Sequence, residues 1–149
     1  SQSKTPVRVS PLKRKLPLLE PLFLYEDSLK TDIDNLDSSD LIKSGLHLLN
    51  DDLYSSHKLS QNILSKEGSY LHAIMHRREG DYSNSKYWYS QIDNHPIWKP
   101  MAQNFDEWEP FSFIDWCDKA SKGQNKKPMN WLQNAQFKEM SLLLDYFND

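Results

Sequence analysis

"YLHAIMHRREGDYSNSKYWYSQ", residues 70–91, decides the fold class of this chain. Tyr70, Leu71, Ile74 and Met75 recur at helical spacing, which predicts a helix over about 69–78. Gly80 supplies backbone freedom for a turn, and Asp81 or Ser83 can cap a second, short helix over about 83–92. Helical periodicity broken by glycine and restarted by a capping side chain is the grammar of an all-α protein.

The same grammar extends upstream. Ser38, Ser39 or Asp40 can cap a helix whose stripe is Leu41, Ile42, Gly45, Leu46, Leu48 and Leu49. A helix over about 52–66 carries Leu53, Leu59, Ile63 and Leu64, and "KEGS" is expected to close it, with Gly68 as its C-terminal residue. Before these helices, the acidic run 26–40 reads as a loop ending in a cap. Downstream, the two prolines of "NHPIWKPM" predict a loop. A helix near 111–121 follows. Pro128 then opens the longest helix, about 129–147, which should bury Leu132, Ala135, Leu142, Leu143, Tyr146 and Phe147.

Residues 1–22 form a basic, Pro-containing extended arm: Pro6, Pro11, Pro17 and Pro21 forbid a helix there. Its apolar end, "LPLLEPLFLYE", should lie against the body. Only "PLFLY" could make a strand. The expectation is an irregular all-α bundle of five or six helices with a long aromatic-rich connection. Residues 23–149 then make one helical domain after the arm.

Composition narrows the classes. A chain of 149 residues with 38% hydrophobic and 26% charged residues can bury a core without staples. A net charge of −3 provides no global field toward nucleic acid or a membrane. No apolar run approaches the ~18 residues of a membrane span. The N-terminus lacks the layout of a signal peptide, and a start at Ser1 rather than Met leads us to expect a segment upstream. The single cysteine, Cys117, rules out an intrachain disulfide and suits a reducing compartment. These features read as a cytoplasmic protein, with the nucleus as the alternative. "KRK" at 13–15 reads as part of a solvated terminal arm, with a localisation or polyanion patch as the alternative. Neither a phosphate-cradling glycine motif nor the basic-aromatic interleaving of an RNA-binding sheet is present. Sequence-specific nucleic-acid recognition is not expected.

Chemistry concentrates where the chain opens its glycine turn. His72 and His76 are four apart and share a helix face, Glu79 lies three further on, and His57 can join from the helix before. His57, His72, His76 and Glu79 would make a His/carboxylate site for a divalent metal such as zinc, iron or manganese. The pattern is not the His-Glu-X-X-His of metalloproteases, and Arg77 and Arg78 are expected to bring positive charge close to any cation. A second reading uses those arginines: Arg77, Arg78, Asn84, Lys86, Trp88 and His95 would hold a small polar or anionic molecule. A third makes His72, His76, Glu79 and Asp81 catalytic, as oriented acid–base pairs. Against all three stands a structural reading, in which these residues form a buried polar network of a protein-interaction module. His47, on an apolar face, reads as a satisfied core histidine, and Cys117 as a buried, inert thiol.

"DDLYSSHKLSQ" at 51–61 and "GSYLHAIMHRREGDYSNSKYWYSQIDNHPIW" at 68–98 resemble a family of uncharacterised bacterial and fungal proteins. Its members share a His-X-X-X-His-Arg-Arg-Glu element, a Tyr-Ser-Asn element and a Tyr-Trp pair before a His-Pro. The ending "WLQNAQFKEMSLLLDYF" is similar too, so the resemblance covers about 41–147. It implies no activity. Where family members often carry an arginine pair after Tyr-Trp, this chain has Ser90 and Gln91. An anion site that used those arginines would be weaker here.

Overall fold

The computed structural model describes residues 14–148. Lys4, Arg8 and Lys13 of the basic arm, with Pro6 and Pro11, lie outside the described residues. The remainder is all-α. Helices α1 (Asp27–Asp34), α2 (Asp40–Leu49), α3 (Leu53–Ser60) and α4 (Lys66–Arg78) precede the glycine turn. Helices α5 (Tyr82–Ser90), α6 (Trp98–Asn104), α7 (Pro110–Ser121) and α8 (Met129–Phe147) follow it. No strand occurs among the described residues, "PLFLY" included. Among the described residues no helix is long and apolar enough to cross a membrane.

Of the expected cap candidates Ser39 and Asp81 are used, and Asp52 caps α3 as well. Ser39 accepts from Ile42 N, Asp52 from Ser55 N and Asp81 from Asn84 N. Each satisfies one of the first-turn donors that a helix leaves open. Gly80 turns the chain with φ +85°, as its position demands.

Three local readings are corrected. The acidic run 26–40 holds α1, a short helix in which Lys30 pairs with Asp34 at 3.0 Å and Ile33 is buried. The "NHPIWKPM" loop opens into α6 from Trp98. Pro100 sits in that helix's first turn, where its missing N–H has no intrahelical partner to lose. "KEGS" opens a helix instead of closing one: α3 ends at Ser60, and Ser65 caps α4 by accepting from Gly68 N. Gly68 is required for a different reason than a C-terminus, since a Cβ there would collide with the Ile63 carbonyl oxygen.

Helix α4 is the central element. Every residue from Tyr70 to Arg78 is buried. It packs against α2, α3 and α5, while α8 packs on α2, α6 and α7. One apolar cluster joins Leu46, Leu49, Leu71, Ile74, Leu143 and Leu144. A second joins Leu19, Met101, Trp108, Phe113, Cys117 and Leu132. The buried face of α8 includes Leu132, Ala135 and Leu143 as expected, but Gln136 and Glu139 are fully buried on it, and Tyr146 is exposed. Residues 14–20 lie on the body. Leu19 enters the second cluster, Gln136 Nε2 donates to Leu18 O at 3.1 Å, and Arg14 bonds Leu49 O at 2.7 Å.

Candidate functional site

Helix α4 sends its polar residues to different sides. His72, His76 and Glu79 follow one another by four and three, so they share a face. That face meets His57 near the end of α3. The His57 ring lies 4.7 Å from the His72 ring and 5.9 Å from that of His76, and the His72 and His76 rings stack at 4.8 Å. One nitrogen of each imidazole lies within 4.8 Å of the other two. Three residues expected to converge therefore do so, from two helices.

The carboxylates complete the arrangement. His76 Nδ1 donates to Glu79 Oε2 at 2.6 Å, with Asp81 Oδ2 at 3.9 Å. A carboxylate can only accept here, which gives the Nδ1 the proton and turns the other ring nitrogen into a lone-pair donor. Asp81 mainly serves as the cap of α5. Asn84 donates to it from both backbone and side chain, and those bonds, with His76 nearby as a lesser cause, hold its carboxyl below the usual range.

His72 is buried and stacks on Trp88, with centroids 4.1 Å apart. Burial first, and then the His76 and His57 rings, push its pKa down to about 4. It is therefore a neutral imidazole at pH 7, and it has no hydrogen-bond partner among the described residues. Beside it opens a cleft of about 400 Å³ between the α3–α4 turn and α5. Ser65, Lys66, Ser69, His72, Trp88 and Gln91 line this cleft, and no carboxylate does.

The arginines are turned away from this face. Arg77 Nη1 donates to Glu139 Oε1 and to the Tyr89 hydroxyl, both at 2.8 Å, and its guanidinium lies over the Phe113 ring. Tyr70 and Tyr89 both donate to Glu139 Oε2, at 2.5 and 2.8 Å, and Trp98 Nε1 donates to the Tyr70 hydroxyl. Arg78 donates to Leu48 O, to Leu18 O and to Asp51 Oδ1, and Arg14 reaches the same Asp51 carboxylate. Both guanidiniums are fully buried. The expectation that they would crowd a cation at His72 and His76 is overturned, because each points into the core toward a buried carboxylate, Glu139 for Arg77 and Asp51 for Arg78.

The other residues expected to bind a ligand are dispersed. Lys86 pairs with Asp115 of α7 at 2.7 Å on the surface. Asn84 is held by Asp81. His95 is buried against Tyr70 and Tyr146 rather than on the three imidazoles. Its Nδ1 accepts from Ile97 N, and its Nε2 faces Glu67 at 3.5 Å. Of that set, only Trp88 joins the histidine face. His47 is a core histidine, buried and bonded to Asp34 at 2.9 Å. The buried Glu139 and Gln136 escaped the sequence reading. The available signal was a carboxylate and an amide on the apolar stripe of α8, between Ala135 and Met140.

Comparison with protein-family models, with curated proteins and with solved structures returned no match for this chain.

Proposed function

We propose that this helical domain binds a divalent transition metal through His57, His72 and His76, with Glu79 holding His76 in place. One observation carries the reading: three imidazoles from α3 and α4 converge on one face while both neighbouring guanidiniums are paired elsewhere. Imidazole nitrogen suits zinc and its first-row neighbours. Zinc held by nitrogens at ~2.0–2.1 Å brings those nitrogens to within about 3.4 Å of one another in a tetrahedral site. Closing from 4.8 Å to that spacing takes side-chain rotations of the three rings. The Glu79–His76 bond matches the usual support of a metal-bound histidine, in which a carboxylate fixes ring orientation and raises basicity. Three protein ligands leave a fourth position for an exchangeable ligand, as in catalytic rather than closed structural zinc sites. A small polar or anionic molecule is the natural occupant of that position.

A second reading, the buried polar network, is favoured for the opposite side of the same helix. There Arg77 and Arg78 are fully enclosed, and their Nη atoms are bonded by protein groups. We assign them to holding helices together, not to a ligand. The motif resemblance implies no activity, so both readings rest on geometry.

The test is a zinc titration of chelator-stripped protein, followed by calorimetry and by melting. One equivalent should bind and raise the melting temperature. His57→Ala should abolish this, and Glu79→Gln should weaken the affinity by roughly 10–100-fold. Absence of bound metal, with melting unchanged by zinc, would sink the proposal.

A further inference from the structure

We infer that the cleft beside His72 is a binding subsite for a small molecule that carries an oxyanion, such as a phosphate or carboxylate, at one end. The inference rests on the metal reading and names the class of ligand that the same site would take.

The argument starts with His72. A neutral imidazole has one lone pair and one N–H. If the lone pair goes to the metal, the N–H needs an acceptor. His72 is only 8% exposed, lines the cleft, and has no hydrogen-bond partner among the described residues. Neither ring nitrogen of His72 is fully enclosed, so its N–H is open to an acceptor from the cleft that it lines, and a ligand atom there can take that bond.

The far end of the cleft sets the charge. Ser65 and Lys66 open α4 there, and Ser65 Oγ already accepts from Gly68 N. The amides of Lys66 and Glu67 have no intrahelical acceptor, and the helix start carries partial positive charge. Lys66 is exposed and has no ion-pair partner among the described residues. The lining thus contains one cation, a helix start and amide and hydroxyl groups, with no carboxylate to repel an anion. His72 lies six positions along the helix from Lys66, a rise of about 9 Å. The ligand is therefore a short molecule with its oxyanion at the start of α4 and an acceptor two turns along, beside the metal position.

The experiment uses the full chain, loaded with one equivalent of zinc and freed of excess metal. Inorganic phosphate is titrated at ionic strength matched with chloride, and zinc content is measured on the same samples. Lys66→Glu is compared with wild type and with Lys58→Glu, an equal charge change on α3 outside the cleft. Expected are saturable phosphate binding, a loss of roughly tenfold in Lys66→Glu with zinc retained, and no loss in Lys58→Glu. Bound zinc with no saturable phosphate binding, or equal losses in the two variants, overturns the cleft inference and leaves the metal reading intact. Failure to bind zinc overturns both.

Discussion

His72 concentrates the residue-scale chemistry. Its pKa falls from the ordinary 6.5 to about 4, chiefly through burial. Between those values the unfolded chain binds a proton that the folded chain refuses. Stability is therefore fully present above about pH 6.5 and declines as pH falls toward 4. Burial shifts His95 in the same direction, so it adds to the same decline. The urea midpoint of metal-free protein should drop from pH 7 to pH 4.5, and His72→Asn should remove part of that drop. An unchanged pH slope in the variant would show that His72 does not titrate in this window. Cys117 behaves oppositely: burial pushes its thiol up to about 12, which makes it the inert core residue that its aromatic helix suggested. His72 and His76 were legible as one face because helix geometry is local. Which nitrogen Glu79 would hold was not, since that depends on a rotamer set by packing.

At the scale of elements, the instructive error is "KEGS". Glycine near the end of an apolar pattern commonly marks a helix C-terminus. Here Ser65 outcompetes that signal by capping the next helix, and Gly68 lies in the first turn beneath the Ile63 carbonyl. A chain passing that close leaves no room for a side chain. Gly68→Ala should therefore destabilise by about 1–3 kcal/mol, although alanine is the better helix former, because backbone must move. Thermal melting checks the sign: stabilisation by alanine would mean that propensity alone governs this turn. Helices α1 and α6 were missed for a related reason. Both are short, polar or proline-bearing segments, too short to hold a helix without the neighbours they pack against.

In the whole molecule, α4 separates a scaffold from a site. Arg77, Glu139, Tyr70, Tyr89 and Trp98 bind α4, α5 and α8 and the start of α6 into one buried network. Arg78 and Asp51 do the same for the segment near Leu18. Removing one member of a buried ion pair strands the other. Glu139→Ala should thus cost roughly 3–5 kcal/mol in urea unfolding. His57, half-buried on the opposite face, lacks such a partner, and His57→Ala should leave metal-free stability within about 0.5–1 kcal/mol of wild type. Equal losses in the two variants would mean that the histidine face is also scaffold.

The sequence by itself determined the helical class, the caps at Ser39 and Asp81, the glycine turn and the shared face of His72, His76 and Glu79. Each follows from hydrogen bonds and side-chain spacing within a few residues. Only the tertiary structure decided where Arg77 and Arg78 point. The Arg77 carboxylate partner lies 62 residues away on α8, and the Arg78 partner 27 residues back, after α2. Adjacent residues on a helix project about 100° apart, so one sequence stretch can serve two surroundings at once. Packing placed carboxylates behind the arginines and left the imidazoles facing α3 and the cleft, and that division separates scaffold from candidate site.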